Sequence, residues 1–576
     1  MRIIFVSLSS LLIAACSSPT ESNDATGGTT GTTGGVNASG GAATGGANTA
    51  TGGSSITPST GGLTSTGGSV ASGGSATPQG GSSTGQGGSS TGAAGQQSGG
   101  TSSGGSAVGG SKASGGVSAG GSHTGGSTAA GASGQGSGGT AKGGTSSTGG
   151  ASSTGGTSST GGAPSTTGAR FVSPTGDDAN DGSMAKPYYS LSKAVSAAPA
   201  GTVIYMRGGT FKYSATIALA TSGTEAAPIQ ILAYGDEKPV LDFSTQPYGA
   251  DNRGLLLTGD YWRIIGLEIS HAGDNGLKVE GSHNRIERCV FHHNGDSGIQ
   301  LGFGHETVNP NGTLCSYNEV INCDSYLNFD FDSKGGDADG FACKMHNGKG
   351  NVFRGCRSYH NADDGWDLYE TDWPVEITNC WAFHNGDQTD FDAIYLEKMG
   401  KKMSSYSGNG NGFKLGGNGT GGNSVGTHVV KNCVSFDHNF RSKKGFDQNS
   451  HKGGVRIVNS VAWGNGYNFM FEDDPDSGAK NEFLNNVSLL AKTSLGMEFS
   501  GAAVLTNNSW QLPVTVDASD FADMAEAAAT APRQADGSLP NNGFARLVPN
   551  SDLIDKGVDV GLPFTGSAPD LGAFER

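Results

Sequence analysis

The sequence has few basic residues for its length. Its 576 residues include 35 Lys and Arg but 51 Asp and Glu, which gives a formal net charge of −16 at pH 7. Nearly all of these charges fall in residues 169–576. The excess of negative charge argues against a nucleic acid as partner. It would also repel a polyanionic substrate, unless bound cations or a local basic groove reverse the field near the site.

The sequence also lacks, at its start, a hydrophobic run long enough to span a membrane stably. The apolar run of residues 3–13 is short and follows a single Arg2, so it predicts a signal peptide over residues 1–15. The tetrapeptide of residues 13–16, I-A-A-C, resembles the lipobox of bacterial lipoproteins. The resemblance implies cleavage before Cys16, acylation of Cys16 and a lipid anchor in the bacterial outer membrane. An ordinary secreted protein is the alternative.

Apolar residues are almost absent from the next segment, residues 16–168. It consists mainly of Gly, Ser, Thr and Ala in T-G-G repeats. Such a composition cannot bury enough apolar surface to fold, so it predicts a disordered linker. About 150 residues of this kind span about 60–75 Å on average. The folded part is therefore expected in residues 169–576.

A repeat runs through the folded part. Each copy contains a short alternating apolar strand, a small residue, a second short strand and then Asn, and a third strand opened by Gly lies between copies. The copies begin at Asn284, Asn318, Asn351, Val375, His428, Val455 and, more weakly, Asn481. Three strands repeating roughly every 24–35 residues predict an all-β fold, a right-handed parallel β-helix.

Cysteine and asparagine recur at fixed positions of the repeat. A small apolar thiol fits a buried stack, although disulfides between coils are an alternative in an exported protein. The recurring cysteines are Cys289, Cys323, Cys356, Cys380 and Cys433. At the corners, Asn361, Asn385 and Asn439 predict a structural ladder of stacked amides.

Segments outside the repeat are expected to cover the open ends of the coil. Residues 190–198 form an amphipathic pattern that starts on Ser190, which predicts a short capping helix at the N-terminal end. The segment after about Thr515 no longer follows the repeat, and we expect it to cover the other end.

Four carboxylates fall in two similar motifs, A-D-G-F around Asp339 and D-D-G-W-D over residues 363–367. The period places Asp339 and Asp363 at equivalent strand openings on neighbouring coils. Strand alternation puts Asp363 and Asp367 on one face, which Asp364 joins if Gly365 bends the chain. Such a cluster repels itself unless a cation binds, and its hard oxygen ligands suit Ca²⁺. A solvated acidic turn is the alternative.

One coil further on, G-F-K-L over residues 412–415 matches the same strand but carries Lys414 in place of a carboxylate. Beside bound Ca²⁺, and near Arg441, Lys443 and Lys444, its pKa would be lowered by like charge and Lys414 could act as a base. A surface lysine paired with a neighbouring carboxylate is an equally open interpretation.

These motifs together resemble a known family. The segments A-D-G-F-A-C-K, N-A-D-D-G-W-D-L, N-C-W-A-F-H-N-G and G-N-G-F-K-L-G-G are similar to the core of the pectate lyases of polysaccharide lyase family 9. The resemblance implies a right-handed parallel β-helix that cleaves polygalacturonate by β-elimination. It also implies a catalytic Ca²⁺ and a lysine base. The implied Ca²⁺ ligands and base are Asp339, Asp363, Asp364, Asp367 and Lys414.

Further basic residues are candidates for binding uronate carboxylates, although each is equally well explained as a surface charge. They are Lys344, Arg441, Lys443 and Lys444. Residues 387–411 separate the acidic motif from Lys414 and are expected to form a wall of the groove.

We expect a monomer. Two other functions stay open: a lyase or hydrolase for another polysaccharide, such as alginate, rhamnogalacturonan or chondroitin, and a non-catalytic glycan-binding adhesin.

Overall fold

The structure is a computed structural model. It describes residues 167–303, 314–417, 426–438, 442–494 and 496–576. The signal peptide, the lipidation of Cys16 and almost all of the linker lie outside the described residues, so these expectations stay predictions. Arg441 and Asn439 lie outside them as well.

Short strands dominate the described residues. In chain order they are β1 Arg170–Val172, β2 Val203–Met206, β3 Gly209–Lys212, β4 Ile217–Leu219, β5 Ile229–Ala233, β6 Pro239–Asp242, β7 Leu255–Leu257, β8 Trp262–Ile265, β9 Glu268–Ser270, β10 Leu277–Val279, β11 Arg285–Glu287, β12 Val290–His292, β13 Ile299–Leu301, β14 Glu319–Ile321, β15 Asp324–Tyr326, β16 Phe341–Cys343, β17 Asn351–Arg354, β18 Arg357–Tyr359, β19 Trp366–Asp367, β20 Val375–Thr378, β21 Trp381–Phe383, β22 Phe413–Lys414, β23 His428–Lys431, β24 Val434–Phe436, β25 Lys444–Asp447, β26 Val455–Val458, β27 Val461–Trp463, β28 Tyr467–Phe471, β29 Asn481–Leu484, β30 Val487–Leu489, β31 Met497–Phe499 and β32 Val504–Thr506.

Helices are few and short. The α-helices are α1 Leu191–Val195, α2 Asp392–Met399 and α3 Glu526–Ala529, and the 3₁₀ helices are Gln388–Asp390, Ser509–Gln511 and Ala518–Asp520. Within the described residues, no helix is both long and apolar enough to cross a membrane.

The strands form three parallel sheets, which we call the long sheet, the site sheet and the third sheet. The long sheet has twelve strands in the order β1-β2-β5-β8-β11-β14-β17-β20-β23-β26-β29-β32. The site sheet has ten strands in the order β4-β7-β10-β13-β16-β19-β22-β25-β28-β31. The third sheet has ten strands in the order β3-β6-β9-β12-β15-β18-β21-β24-β27-β30. Successive strands thus join different sheets while each coil pairs with the next, which confirms the predicted parallel β-helix.

Aromatic rings stack from coil to coil inside the site sheet. The rings of Phe341, Trp366, Phe413 and Phe446 lie parallel, with centroids 4.7–4.9 Å apart. All four are fully buried. Because successive side chains of a strand point to opposite faces, the residue after each ring points out of the coil. The aromatic stack therefore fixes which face of the site sheet carries the outward residues, including Asp367.

The cysteine stack is present without disulfides. All seven cysteines of the described residues are free and buried. The backbone N–H of Cys289 donates to the sulfur of Cys323 at 3.4 Å, and Cys356 and Cys380 repeat this contact. The disulfide alternative is therefore wrong for these residues.

The side chains at the corners form a ladder, and a histidine occupies one of its positions. The side chain of Asn328 donates to Asn361, and that of Asn361 donates to Asn385, at 2.8 and 3.0 Å. The next position belongs to His438, which contacts Asn385 at 3.3 Å, whereas Asn439, predicted for the ladder, lies outside the described residues. Strands β21 and β24 end at Phe383 and Phe436, and the ladder residue is the second one after each strand.

The predicted N-terminal helix exists but is short. Helix α1 spans five residues, and the hydroxyl of Ser190 accepts the Lys193 N–H as its cap. Leu191 and Ala194 enter the main core cluster, so the helix seals apolar residues of the first coils.

The C-terminal segment packs along the side of the coil rather than over its end. The outward face of the third sheet carries Trp381, Phe383, Phe436 and Trp463, and the Phe544 ring contacts three of these four rings. These residues form a second buried cluster with others of the C-terminal segment. An apolar outer face cannot stay in water, so the segment after Thr515 covers it. At the end itself, Trp510 packs on Phe499.

Candidate active site

The acidic cluster consists of Asp339, Asp363, Asp364 and Asp367. One carboxylate oxygen from each of Asp339, Asp364 and Asp367 lies within 4.8 Å of the others. Asp363 is buried but does not belong to this group of three, and it accepts a short hydrogen bond from the Asn409 N–H. The sequence prediction thus named four buried neighbours, of which three converge.

The register of the site sheet explains which three converge. Phe341 pairs with Trp366, so Asp339 is level with Asp364. The N–H of Gly340 accordingly donates to the carbonyl of Asp364. The expected equivalence of Asp339 with Asp363 is wrong by one residue, because the D-G-aromatic motif that the two strands share aligns Asp339 with Asp364.

Two lysines enter the acidic cluster. Lys414 pairs with Asp447 on one side and Asp367 on the other in the sheet register. Its Nζ lies 3.1 Å from Asp364 Oδ2 and 3.4 Å from Asp367 Oδ1. Lys344 lies on the opposite side, with its Nζ 2.6 Å from Asp339 and 3.2 Å from Asp367. Asp367 therefore bridges the two ammonium groups.

Burial and charge shift the pKa values of the carboxylates in different directions. Burial raises the pKa of Asp339 well above its ordinary value, and the carboxylate of Asp367 adds to the rise. Burial and the Asp364 carboxylate do the same for Asp363. The pKa of Asp367 is lowered, because Lys414 and Lys344 together outweigh its burial. Asp367 is therefore the carboxylate whose charge the lysines favour most clearly.

The pKa of Lys414 is raised, whereas the sequence analysis predicted that it would be lowered. Burial lowers it, but Asp367, Asp364 and the other carboxylates raise it well above its ordinary value. The expected lowering relied on positive neighbours. Lys443 donates instead to the Gly408 carbonyl, and Lys444 pairs with Asp447 at 2.9 Å.

The basic candidates for substrate contact occupy different environments. Lys344 is 5 % exposed and contacts carboxylates of the cluster, so it belongs to the cluster itself. Lys443 is 8 % exposed, and burial lowers its pKa. The Lys444 side chain is 28 % exposed. Contact of these three residues with substrate stays a prediction.

The segment between the acidic motif and Lys414 holds the carboxylates in place. It contains helix α2, whose Tyr395 packs with Phe391 against Phe329. Its last residues donate backbone N–H groups, from Asn409 to Asp363 and from Asn411 to Asp364, the latter at 2.8 Å. This segment therefore orients two carboxylates through its backbone, which its composition did not indicate.

The donor set fits a divalent cation. Asp364 Oδ2 is buried and accepts no hydrogen bond, since the nearby Lys414 ammonium is not in hydrogen-bonding geometry. Four carboxylates surround two ammonium groups, which leaves an excess of two negative charges when all are ionised. Converging carboxylate oxygens are the ligands that Ca²⁺ prefers. The orphaned oxygen and the excess charge are both satisfied by such an ion.

Sequence reasoning missed one neighbour of the cluster. The hydroxyl of Ser297 donates to Asp339 Oδ2 at 3.1 Å and accepts from the Asp339 N–H at 3.2 Å. The segment D-S-G-I-Q-L over residues 296–301 aligns with D-D-G-W-D-L over residues 363–368, so a comparison of these two copies could have found it.

Several known proteins are similar to this chain in fold and in sequence. Residues 170–486 match the family model described as "Pel9A-like, right handed beta helix region". "Pectate lyase L" of Dickeya chrysanthemi is 38 % identical over 425 residues, which cover 70 % of this chain and 90 % of that protein. "Pectate lyase PEL9" of Emericella nidulans is 32 % identical over 391 residues, or 65 % of this chain and 91 % of that protein.

A solved structure agrees with these matches. The crystal structure of pectate lyase Pel9A has a TM-score of 0.62 and 38 % identity, and the match covers 71 % of this chain and 97 % of that one. The fold and these similarities define an enzyme, a polysaccharide lyase built on a right-handed parallel β-helix. The chain belongs to the Pel9A-like family, the polysaccharide lyase family 9 pectate lyases that its motifs predicted.

Proposed function

We propose that this chain cleaves polygalacturonate by Ca²⁺-dependent β-elimination, with Lys414 as the base. The observation that carries the proposal is the position of Lys414, in register with Asp367 and 3.1 Å from an otherwise unsatisfied oxygen of Asp364. A basic side chain thus lies beside the carboxylates that would hold the cation, where it could reach a substrate bound there. Pectate is the substrate named for the relatives that match most of their length.

Each residue then has a defined task. Asp339, Asp364 and Asp367, with Asp363 beside them, would hold the ion. Bound Ca²⁺ would supply electrostatic stabilisation of the negative charge that develops on the substrate carboxylate. The neutral Lys414 amine takes the proton from C5, the released electron pair forms the C4–C5 double bond, and the C4–O bond breaks. The departing oxygen receives a proton from solvent.

The pH dependence follows from the raised pKa of Lys414. The surrounding carboxylates favour the ammonium form, so the free amine is scarce at neutral pH. We expect kcat to rise with pH into the alkaline range as Lys414 loses its proton. A rate that falls over this range, with the fold intact, would contradict the role of Lys414.

The test uses the full chain and polygalacturonate. The ultraviolet absorbance of the unsaturated product is followed with Ca²⁺ and after addition of a chelator. The native chain should be active only with Ca²⁺. The variant Lys414→Arg keeps the positive charge but cannot release a proton, so kcat should fall about 10²-fold or more.

The matched control is Lys431→Arg, a lysine of the long sheet that pairs with Glu376 away from the acidic cluster. It should keep native kcat. Activity of Lys414→Arg equal to this control would remove Lys414 as the base, and chelator-resistant activity would remove the metal.

A second substrate is favoured by one structural neighbour. A protein titled "Rhamnogalacturonan lyase" matches with a TM-score of 0.55 and 25 % identity over 66 % of this chain. The same absorbance assay with rhamnogalacturonan separates the two functions. A higher kcat/KM on rhamnogalacturonan than on polygalacturonate would replace the proposed substrate while keeping the elimination chemistry.

A further inference from the structure

Two rows of side chains run along the site sheet from coil to coil. One row contains the position of Asp339 and Asp364, and its earlier members are Arg253, Asn275 and Ser297. The other contains the position of Asp367 and Lys414, and its earlier members are Leu256, Lys278, Gln300 and Ala342. Where the central coils carry carboxylates, the N-terminal coils thus carry the cations Arg253 and Lys278.

Lys278 is a buried cation for which the described part of the chain supplies no partner. Its strand neighbours Leu277 and Val279 lie in the core, so its side chain points outward like Asp367. Lys278 is 3 % exposed, and among the described residues it makes no hydrogen bond or ion pair. Burial and the nearby Arg253 lower its pKa to about 8. Glu280 and Asp296 oppose this effect only in part.

Arg253 is a second cation near Lys278, and carboxylates already pair with part of its guanidinium group. Its Nε is buried and makes no hydrogen bond, although Asp274 Oδ2 lies 3.3 Å away. Its outer nitrogen pairs with the exposed Asp251 at 3.0 Å, and its side chain is 22 % exposed. A buried donor without an acceptor costs free energy, and two neighbouring cations repel each other. An anion bound between them would give the Lys278 ammonium an acceptor and would reduce its repulsion with Arg253.

We propose that Lys278 and Arg253 form a subsite for a carboxylate of the uronate chain, several sugars away from the cleaved bond. The inference rests on the proposed function, because it takes a polyuronate as substrate. Strands β10 and β19 are three strand spacings apart, which places Lys278 about 14–15 Å along the sheet from Asp367. A uronate chain lying along the coils carries a carboxylate on every sugar, so one can reach this position while another occupies the cluster.

The test compares substrates of different length. A trigalacturonate that spans the cleaved bond ends short of Lys278, whereas a hexagalacturonate can reach it. Lys278→Met removes the charge and keeps a long apolar chain that suits the buried position. We expect KM for hexagalacturonate to rise roughly tenfold, because a charge-assisted hydrogen bond is lost. The kinetics on trigalacturonate and the kcat on both substrates should stay native.

Arg253→Gln provides a second variant, in case Lys278→Met folds poorly, and it should show the same length-dependent rise in KM. Lys431→Met is the control, since it removes a positive charge from the long sheet. A rise in KM that is equal for both lengths, or no rise in either variant, would overturn the subsite while leaving the lyase activity in place. A native chain that cleaves no uronate polymer would overturn the proposed function and this inference together.

Discussion

At the scale of single residues, the corner ladder shows how one amide serves two coils. Asn328 is fully buried, and its oxygen accepts the backbone N–H of Asn294 at 3.1 Å. Its own amide donates to Ser325 at 3.0 Å and to Asn361 at 2.8 Å. The buried N–H of Asn294 therefore has an acceptor only while the Asn328 side chain is present.

Asn328→Ala should destabilise the coil by roughly 2–4 kcal/mol, because it leaves the buried N–H of Asn294 without an acceptor. Urea unfolding followed by circular dichroism measures the loss. The control Asn541→Ala removes an exposed amide and should change stability by less than about 0.5 kcal/mol. Equal effects of the two variants would contradict the role of the ladder.

The ladder also shows how far single positions can be predicted from sequence. The recurring Asn after the second strand of each copy is visible, and Asn361 and Asn385 were placed correctly. His438 was missed because an imidazole can replace the amide in the ladder, and the motif D-H-N offers a more familiar Asn one residue later. The position depends on where β24 ends, which hydrogen bonds decide rather than composition.

At the scale of elements, a partly buried set of ion pairs holds the C-terminal segment on the coil. His360 lies 2.8 Å from Asp390 and 2.8 Å from Glu526 of helix α3. His384 stacks on His360 with ring centroids 4.4 Å apart and also contacts Glu526, at 3.2 Å. One carboxylate of the C-terminal segment therefore joins two neighbouring coils.

The pH dependence of this contact has a definite sign. Burial lowers the pKa of His360, but Asp390 and Glu526 raise it from 6.5 to about 9. Hydrogen bonds from the two histidines lower the pKa of Glu526 from 4.5. The contribution of His360 is complete below pH 6.5 and is lost as pH rises through about 9. That of Glu526 is complete above its ordinary pKa and is lost as pH falls below it.

Glu526→Gln should therefore lower Tm by roughly 1–3 °C near pH 6 and have little effect near pH 10, since these groups are partly exposed. Thermal unfolding of the native chain and the variant at both pH values measures the difference. Glu225→Gln, at an exposed position, is the control and should leave Tm unchanged at both. A pH-independent loss in Glu526→Gln would indicate lost packing instead of lost ion pairs.

At the scale of the whole molecule, the acidic cluster bears on stability because its residues come from successive coils. In a coiled repeat, the contacts between neighbouring coils supply much of the free energy of unfolding. Asp339, Asp364 and Asp367 come from two successive coils, and Lys414 from the next. An ion bound to them would link these coils and add to the free energy of unfolding. The overall charge of −16 makes the gain larger, because the ion also reduces self-repulsion.

Ca²⁺ should raise the Tm of the native chain, with a stabilisation of about 2.7 kcal/mol at a concentration 100 times Kd. Differential scanning calorimetry with Ca²⁺ and then with excess chelator measures the shift. Asp364→Asn removes the negative charge of the carboxylate whose Oδ2 accepts no hydrogen bond. The Tm of this variant should therefore no longer respond to Ca²⁺. The exposed Asp536→Asn is the matched control and should respond like the native chain. An undiminished response of Asp364→Asn would place the ion elsewhere.

The sequence by itself determined the three-strand period, the parallel β-helix, the buried cysteine row and the residues of the acidic cluster. Alternation and recurring side chains are local properties, and each copy repeats them. Only the tertiary structure decided that Lys344 lies inside the cluster and that the C-terminal segment covers the third sheet. Both features bring together residues that are far apart in the sequence, so no single copy of the repeat contains them. Register also aligned Arg253 and Lys278 with the acidic positions, a change of charge along the sheet that no single copy of the repeat reveals.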